Sequence, residues 1–290
     1  MQVYRVIFNA FLEYMEITTC LFPAAGYGTR FLPATKAIPK EMLPVLTKPL
    51  LQYGVEEAIE AGFNTMAIVT GRGKRAIEDH FDVSYELEEQ IRGTDKEHYL
   101  TEIRYLINKC SFTYTRQNEM KGLGHAILTG RSLINQPAFA VLLADDLCTA
   151  DEGILSQMMR IYNEYQCSVV AVQEVDESQV SRYGIVAGDQ INDQCFRARI
   201  MVEKPDPKNA PSNLAIIGRY ILTSDIFELL KDQKPGKNGE IQITDALMRQ
   251  AETGKVIAYK FHGRRFDCGN LDGFMEAINY YYKKLKNEDK

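Results

Sequence analysis

The segment Pro137–Asp146, PAFAVLLADD, shows no alternation of apolar and polar residues and ends on two adjacent carboxylates. A strand with one face in water alternates, whereas a strand apolar on both faces has to be covered on both. That is the position of a central strand in a parallel sheet with helices packed above and below it. Ile17–Phe22 and Thr65–Gly71 have the same apolar character, and each runs into a glycine-containing turn. Between them, Leu50–Gly62 places Leu51, Val55, Ala58 and Gly62 on one helical stripe, leaves Glu56, Glu57 and Glu60 off it, and closes on glycine. Strand, helix and strand in succession predict an α/β fold with a mostly parallel mixed sheet flanked by helices.

The loop after Ile17–Phe22 is the most chemically loaded part of the chain. It holds Gly26 and Gly28 and then Arg30, Lys36 and Lys40. Glycine lets a backbone approach a phosphate closely, and the cations imply a polyanionic ligand. A Walker loop needs Gly, four residues and Gly-Lys-Ser/Thr, and a dinucleotide fingerprint would need glycine where Phe31 stands, so neither pattern is met. Prolines at 33, 39, 44 and 49 prevent a helix from starting directly after the glycines, so the loop has to be long and extended. The formal net charge is −5, so a polyanion would be met by this local cluster and not by the field of the whole molecule. A small phosphorylated ligand is favoured, and nucleic acid is disfavoured.

The later chain supplies further elements. Thr65–Gly71 leads into Arg72, Lys74 and Arg75, which read either as a solvated turn or as a second phosphate contact. Asp82–Lys109 is highly charged and weakly periodic, as a helical surface insertion would be. Ser111–Gln117 alternates like a strand and Glu119–Ile134 turns through glycines into a helix. Asp151–Tyr165 reads as a helix, Cys167–Glu174 as a strand, and the chain to about Tyr220 as short strands. Helices are expected over Ser224–Leu230 and Glu240–Ala251, followed by a strand in VIAYKF. The last helix aligns Phe274, Ile278, Tyr281 and Leu285. The cysteines at 20, 110, 148, 167, 195 and 268 form no C-x-x-C pair and have no zinc-like spacing to histidine, which favours reduced thiols and a cytoplasmic location. No apolar run approaches the ~18 residues of a membrane span. Residues 1–16 read as an extension outside the fold, with Met15 as an alternative start.

GYGTR at Gly26–Arg30, FLPATK at Phe31–Lys36 and PKEMLP at Pro39–Pro44 together resemble the signature of the sugar-1-phosphate nucleotidyltransferases. The resemblance runs from about Thr18 to about Tyr282 and is nearest to the bacterial uridylyltransferases of that family. It implies a single Rossmann-like nucleotidyltransferase domain with insertions over residues 17–290. It also implies UTP and glucose 1-phosphate as substrates, Mg²⁺ as cofactor, UDP-glucose and pyrophosphate as products, and a homo-oligomer, dimer or tetramer. By the same resemblance Ala25, Gly26, Gly28, Thr29, Gln117 and Gly122 bind the nucleotide, and Arg30 and Lys40 meet the triphosphate. Gly184, Glu203 and Lys204 take the sugar phosphate, with Lys204 on the phosphate, and Asp145 and Asp267 hold the metal. Asn238–Ala246 is expected to shape the pocket.

The residue chemistry is compatible with those roles. A guanidinium grips phosphate oxygens bidentately, Mg²⁺ takes one or two carboxylates with phosphates and water, and a glutamine amide matches the edge of uracil. Asp146 stands open between a site role and an ordinary strand-end role, because adjacent residues on a strand face opposite ways. The sequence leaves three readings: this uridylyl transfer, transfer from dTTP or to another hexose phosphate on the same fold, and a noncatalytic nucleotide-sugar sensor. A methyl group separates thymine from uracil and is worth only ~1–3 kcal/mol of discrimination.

Overall fold

A computed structural model of the chain describes residues 17–236 and 239–288. The extension read over 1–16, with Met15, and the position Asn238 in the pocket-shaping run lie outside the described residues. In chain order the strands are β1 (Thr19–Pro23), β2 (Pro44–Val45), β3 (Lys48–Pro49), β4 (Thr65–Thr70), β5 (Ser111–Arg116), β6 (Ala138–Leu142), β7 (Asp146–Thr149), β8 (Ser168–Glu174), β9 (Gly184–Gln190), β10 (Cys195–Glu203), β11 (Leu214–Thr223), β12 (Val256–Lys260) and β13 (Arg264–Asp267). The helices are α1 (Leu50–Glu60), α2 (Arg75–His80), α3 (Tyr85–Ile91), α4 (Thr101–Lys109), α5 (Leu123–Thr129), α6 (Ile154–Tyr165), α7 (Ile226–Lys231), α8 (Ile243–Glu252) and α9 (Leu271–Glu288).

Nine strands form one sheet in the order β5-β4-β1-β6-β11-β8-β12-β10-β9. The apolar strands stand in its middle, as expected of segments that need cover on both faces. Every residue of β6 is buried. Its side chains divide by the two-residue period, Ala138, Ala140 and Leu142 joining one core and Phe139 and Val141 the other. The first core also takes Leu51, Val55 and Ala58 of α1 and Met158 of α6, and the second takes Ile127 of α5 and Leu247 of α8. A smaller cluster joins Val45, Leu147, Phe266 and Ala277, which fixes α9 beside β7 and β13. Phe274, Ile278 and Tyr281 pack there, but Leu285 at the end of the same stripe is 49 % exposed.

The sheet is mixed, and the expectation of a mostly parallel one is not met: its first half is parallel, while in the second only β8–β12 is. The pairs β5–β4, β4–β1 and β1–β6 are parallel, but β11 runs antiparallel to β6 and β8, and β10 runs antiparallel to β12 and β9. The connections explain the change. Only residues 191–194 separate β9 from β10, too few for the crossover of a dozen or more residues that a parallel pair requires. Nor are the strands up to Tyr220 short: β10 has nine residues and β11 ten, each continuing past an irregularity in register, and Gly184 and Gly188 lie inside β9. Residues 82–109 form the surface insertion as α3 and α4, with Leu106 as its buried anchor.

One charged side chain lies in the middle of this core. Arg219 of β11 is 1 % exposed. It donates from Nε and Nη2 to the Glu57 carboxylate at 2.8–3.1 Å and from Nη1 to the carbonyls of Leu143 and Gly218. Glu57, read from the helical stripe as pointing away from the core, instead ties α1 to β11 beneath the turn that follows β6. Removing one partner of a buried pair leaves the other charge uncompensated. Glu57→Ala should therefore lower the unfolding free energy by roughly 3–5 kcal/mol in chemical denaturation, and Glu57→Leu combined with Arg219→Met should recover most of the loss.

Candidate active site

The loop after β1 leaves the sheet at the edge where the parallel strands β1, β4 and β6 present their carboxyl ends. Open α/β sheets bind ligands at that edge. Gly28 turns the loop in a left-handed conformation at φ 65°, and the Thr35 hydroxyl donates to its carbonyl at 2.7 Å. A Cβ at Gly28 would come within 2.9 Å of Lys40 Cβ, so the glycine allows the Lys40 stem to fold across the loop. Lys40 then extends to the carboxyl end of β6, where its Nζ donates to Asp145 Oδ2 at 2.5 Å.

Asp145 and Asp146 lie in and just after the turn between β6 and β7 and have different partners. Asp146 is buried, accepting from the Gly218 amide at 2.6 Å through Oδ2 and from Arg265 Nε at 2.7 Å through Oδ1. Both its oxygens are thus engaged within the protein, although the residue also lines the second of the two cavities described below. Strand register pairs Asp146 with Asp267 across β7 and β13, which brings Asp267 alongside Asp145. Asp267 accepts from Arg182 Nη2 and from the Gly269 amide, each at 3.1 Å, and Arg30 Nη1 donates to the Gly269 carbonyl at 3.2 Å. A Cβ built on Gly269 would stand 3.0 Å from Asp267 Oδ1, 3.1 Å from Asp145 Oδ2 and 3.5 Å from Arg30 Nη1. Both acids and one guanidinium thus converge on a single point. Burial alone would raise the Asp145 carboxyl, but the Lys40 ammonium and its hydrogen bond hold it below the ordinary carboxylate range. Burial opposes the charge on Lys40 in turn, and Asp145 and Glu41 keep it protonated.

Two cavities meet at this point. The first, about 350 Å³, is lined by Ala25, Gly26, Tyr27, Lys40 and Gln117. The second, about 320 Å³, is lined by Arg30, Arg182, Gly184, Glu203, Lys204 and Asp267. Gly122, Leu123, Leu143, Asp145 and Glu240 line both. Gly28 and Thr29 line neither: Gly28 shapes the loop and Thr29 is exposed. In the second cavity Glu203 Oε2 accepts from the Thr244 hydroxyl at 2.7 Å, and a Cβ on Gly184 would come within 2.9 Å of that hydroxyl and 3.2 Å of that carboxylate. Lys204 holds the left-handed region at φ 46°, with its amide donating to the Tyr183 carbonyl at 2.9 Å. Such backbone in a non-glycine residue is sustained only where the surroundings require it. The basic turn after β4 is structural at Lys74, which is buried and paired with Glu41 at 2.6 Å, while Arg72 and Arg75 are exposed.

Among the described residues no group of three or more His, Cys, Asp or Glu is placed to hold a metal ion. Asp145 and Asp267 alone fit a hard cation of the Mg²⁺ kind, which takes one or two carboxylates and completes its shell with substrate phosphates and water. Sequence reasoning missed Arg182, Arg265 and His125. Arg265 had a signal, since it lies two residues before Asp267 on a strand and so shares its face. Arg182 had only its place before Tyr183–Gly184. Nothing local marked His125, whose Nδ1 lies 2.8 Å from Gln117 Nε2.

A glycine loop, paired cations and two carboxylates, one of them shared by two adjoining cavities, suit an enzyme that joins phosphorylated substrates. The nucleotidyl transferase family profile matches residues 22–284. The chain belongs to that family. It is 66% identical over 271 residues to UTP–glucose-1-phosphate uridylyltransferase of Pseudomonas aeruginosa, covering 93% of this chain and 97% of that protein. It is 49% identical over 263 residues to uridylyltransferase 1 of the same name from Staphylococcus saprophyticus, covering 91% and 92%. A solved apo UDP-glucose pyrophosphorylase superposes with a TM-score of 0.90 at 60% identity, over 93% of this chain and all of that one. A UDP-glucose pyrophosphorylase complexed with UDP-glucose superposes at 0.87 and 58% identity, with the same coverage.

The Lys40–Asp145 pair gives a pH prediction. The carboxyl pKa in the folded protein lies below its unfolded value, so the stability it contributes is complete above the unfolded pKa and lost as pH falls through the folded one. Lys40→Met leaves a half-buried carboxylate without its cation, so that desolvation governs it and the sign reverses: acid now stabilises the variant relative to the wild type. The wild-type advantage in denaturant unfolding should shrink steadily between pH 7 and pH 4, and a pH-independent gap would contradict the pairing.

Proposed function

We propose that the protein transfers the uridylyl group of UTP to α-D-glucose 1-phosphate, giving UDP-glucose and pyrophosphate. The observation that carries this reading is the convergence of Asp145, Asp267 and Arg30 on one point beside the second cavity, with Asp145 shared by both cavities. The identity of 66% over 93% of the chain to a uridylyltransferase supports the same substrates. The first cavity takes the nucleoside, with the backbone of Ala25 and Gly26 and the side chain of Gln117 at the base. The second takes the glucose phosphate, with Glu203 on the sugar hydroxyls and Lys204 on its phosphate.

In the reaction a phosphate oxygen of glucose 1-phosphate attacks the α-phosphorus of UTP. One O–P bond forms, the bond from the α-phosphorus to the bridging oxygen breaks, and pyrophosphate leaves with that bond's electron pair. The nucleophile is already an anion, so no side chain has to supply one. What the protein supplies is alignment of two anions and relief of their repulsion. Lys40 and Arg30 bring positive charge to the triphosphate, and Lys204 brings it to the sugar phosphate. The family's enzymes generally use a divalent metal, and we assign Mg²⁺ to Asp145 and Asp267, where it would neutralise phosphate charge. Lys40 and Arg182 pair with those two carboxylates.

The six free cysteines fit a reducing compartment, and we place the enzyme in the cytoplasm. Among the described residues no helix is long and apolar enough to cross a membrane. Leu271, Met275 and Tyr282 on the outer side of α9 are exposed apolar residues suited to self-association, and we propose a dimer or tetramer.

Pyrophosphate release from a panel of UTP, dTTP and several hexose 1-phosphates tests the reading, with UTP and glucose 1-phosphate expected to give the highest kcat/KM. Preferential turnover of dTTP would replace it with thymidylyl transfer, and absence of turnover would leave a sensor. Asp145→Asn should reduce kcat by about 10²-fold or more with an unchanged fold by circular dichroism. Lys204→Ala should raise the KM for glucose 1-phosphate by at least ~10-fold, since a charge-assisted contact contributes ~1.5–3 kcal/mol.

A further inference from the structure

The surroundings of the Gln117 carboxamide determine which way it faces. Gln117 is buried. Its Nε2 lies 2.8 Å from His125 Nδ1 and 3.5 Å from the Gly122 carbonyl oxygen. A carbonyl oxygen can only accept, so the end of the amide beside it is the NH₂. The second neighbour of that NH₂, His125 Nδ1, then accepts as well, which makes His125 a neutral imidazole with its proton on Nε2. Burial holds its pKa below the ordinary range, Lys121 acts in the same direction, and Glu119 opposes them. With the NH₂ so placed, the carbonyl Oε1 is the opposite end of the amide. Among the described residues Oε1 receives no hydrogen bond, and Gln117 lines the first cavity.

We propose that His125 is a specificity-determining positioning residue, which by accepting from Gln117 Nε2 turns the Gln117 carbonyl toward the base. This rests on the reading of the first cavity as the nucleoside site. A carbonyl oxygen there requires a donor on the base. Uracil offers the N3–H between its two carbonyls, whereas cytosine has a bare, accepting N3 and would set lone pair against lone pair. Thymine shares the uracil edge, so the arrangement sorts uracil and thymine from cytosine and leaves the methyl group to pocket shape. With His125 unable to accept, only the longer contact to the Gly122 carbonyl at 3.5 Å holds the NH₂, and the amide can rotate to present it to the N3 of cytosine.

The test compares kcat/KM for UTP and CTP, with glucose 1-phosphate and Mg²⁺, in full-length wild type, His125→Phe and His125→Asn. The phenyl ring keeps the shape and removes the acceptor, and the asparagine Oδ1 can accept in place of Nδ1. His125→Phe should narrow the UTP to CTP ratio by about ten- to a hundredfold through opposed changes in KM, the effect of one mispaired buried polar group. His125→Asn should retain most of the wild-type ratio. An unchanged ratio in folded His125→Phe overturns the proposal while leaving the uridylyl-transfer reading intact, and wild type that turns over neither nucleotide overturns both. Because the phenylalanine can disturb α5, ¹⁵N-histidine NMR of the unmodified protein provides a second reading. A neutral ring protonated at Nε2 is expected, and a proton on Nδ1 would refute the assignment.

Discussion

The site depends on how the Asp146 carboxylate is held. One oxygen takes the Gly218 amide of β11 and the other takes Arg265 of β13, in a buried setting where an unpaired carboxylate would be very costly. Satisfying that single group fastens the turn after β6 to two elements distant in sequence. It sets the register that places Asp267 opposite Asp146, and hence Asp267 beside Asp145. Below it, Arg219 and Glu57 brace the same turn from the core side, Arg219 donating to the Leu143 and Gly218 carbonyls. The reactive edge is thereby built on buried, satisfied polar groups and not on loops alone.

The electrostatics of the cleft follow from that frame. A chain of net charge −5 has no general attraction for anions, so attraction has to be local. Lys40 and Arg182 supply positive charge there, each already paired with one of the two half-buried carboxylates. The paired arrangement keeps four charges close together at the sheet edge without an uncompensated one. Both cations therefore stand at the cleft with their charge already balanced by a neighbouring carboxylate.

The mixed sheet divides the work. Parallel strands β1, β4 and β5 with the start of α5 bring Gly26, Gln117 and Gly122 to the first cavity. The largely antiparallel half, β9, β10 and β11, brings Gly184, Glu203 and Lys204 to the second. The two halves meet at β6 and β11, and Asp145, which lines both cavities, stands at that seam. A purely parallel sheet would have lacked the antiparallel β9–β10 pair, which carries Gly184 opposite Glu203.

Local pattern was enough to read much of this in the chain. Unalternating apolar runs marked the buried strands, and the run of motifs from Gly26 to Asp267 marked the family and most of the residues at the cleft. Glycines with prolines marked a long loop without an α-helix, but not its coiling into short 3-10 turns at Thr29–Phe31, Ala34–Lys36 and Lys40–Met42, which corrects the expectation of an extended loop. These are properties of neighbouring residues, and chain geometry acts on them directly. What local pattern could not give were pairings between distant residues. Glu57 read as a helix acid off the apolar stripe until β11 placed Arg219 beneath it, and Asp146 stood open between a site role and a strand-end role until Gly218 and Arg265 took both its oxygens. The Gln117 amide had no defined orientation until α5 set His125 next to it. Strand direction in the second half likewise depended on which strands became neighbours. Each of these was decided by packing, because the energy of a buried charge or hydrogen bond depends on the partner that the folded chain brings to it and not on the residues beside it in sequence.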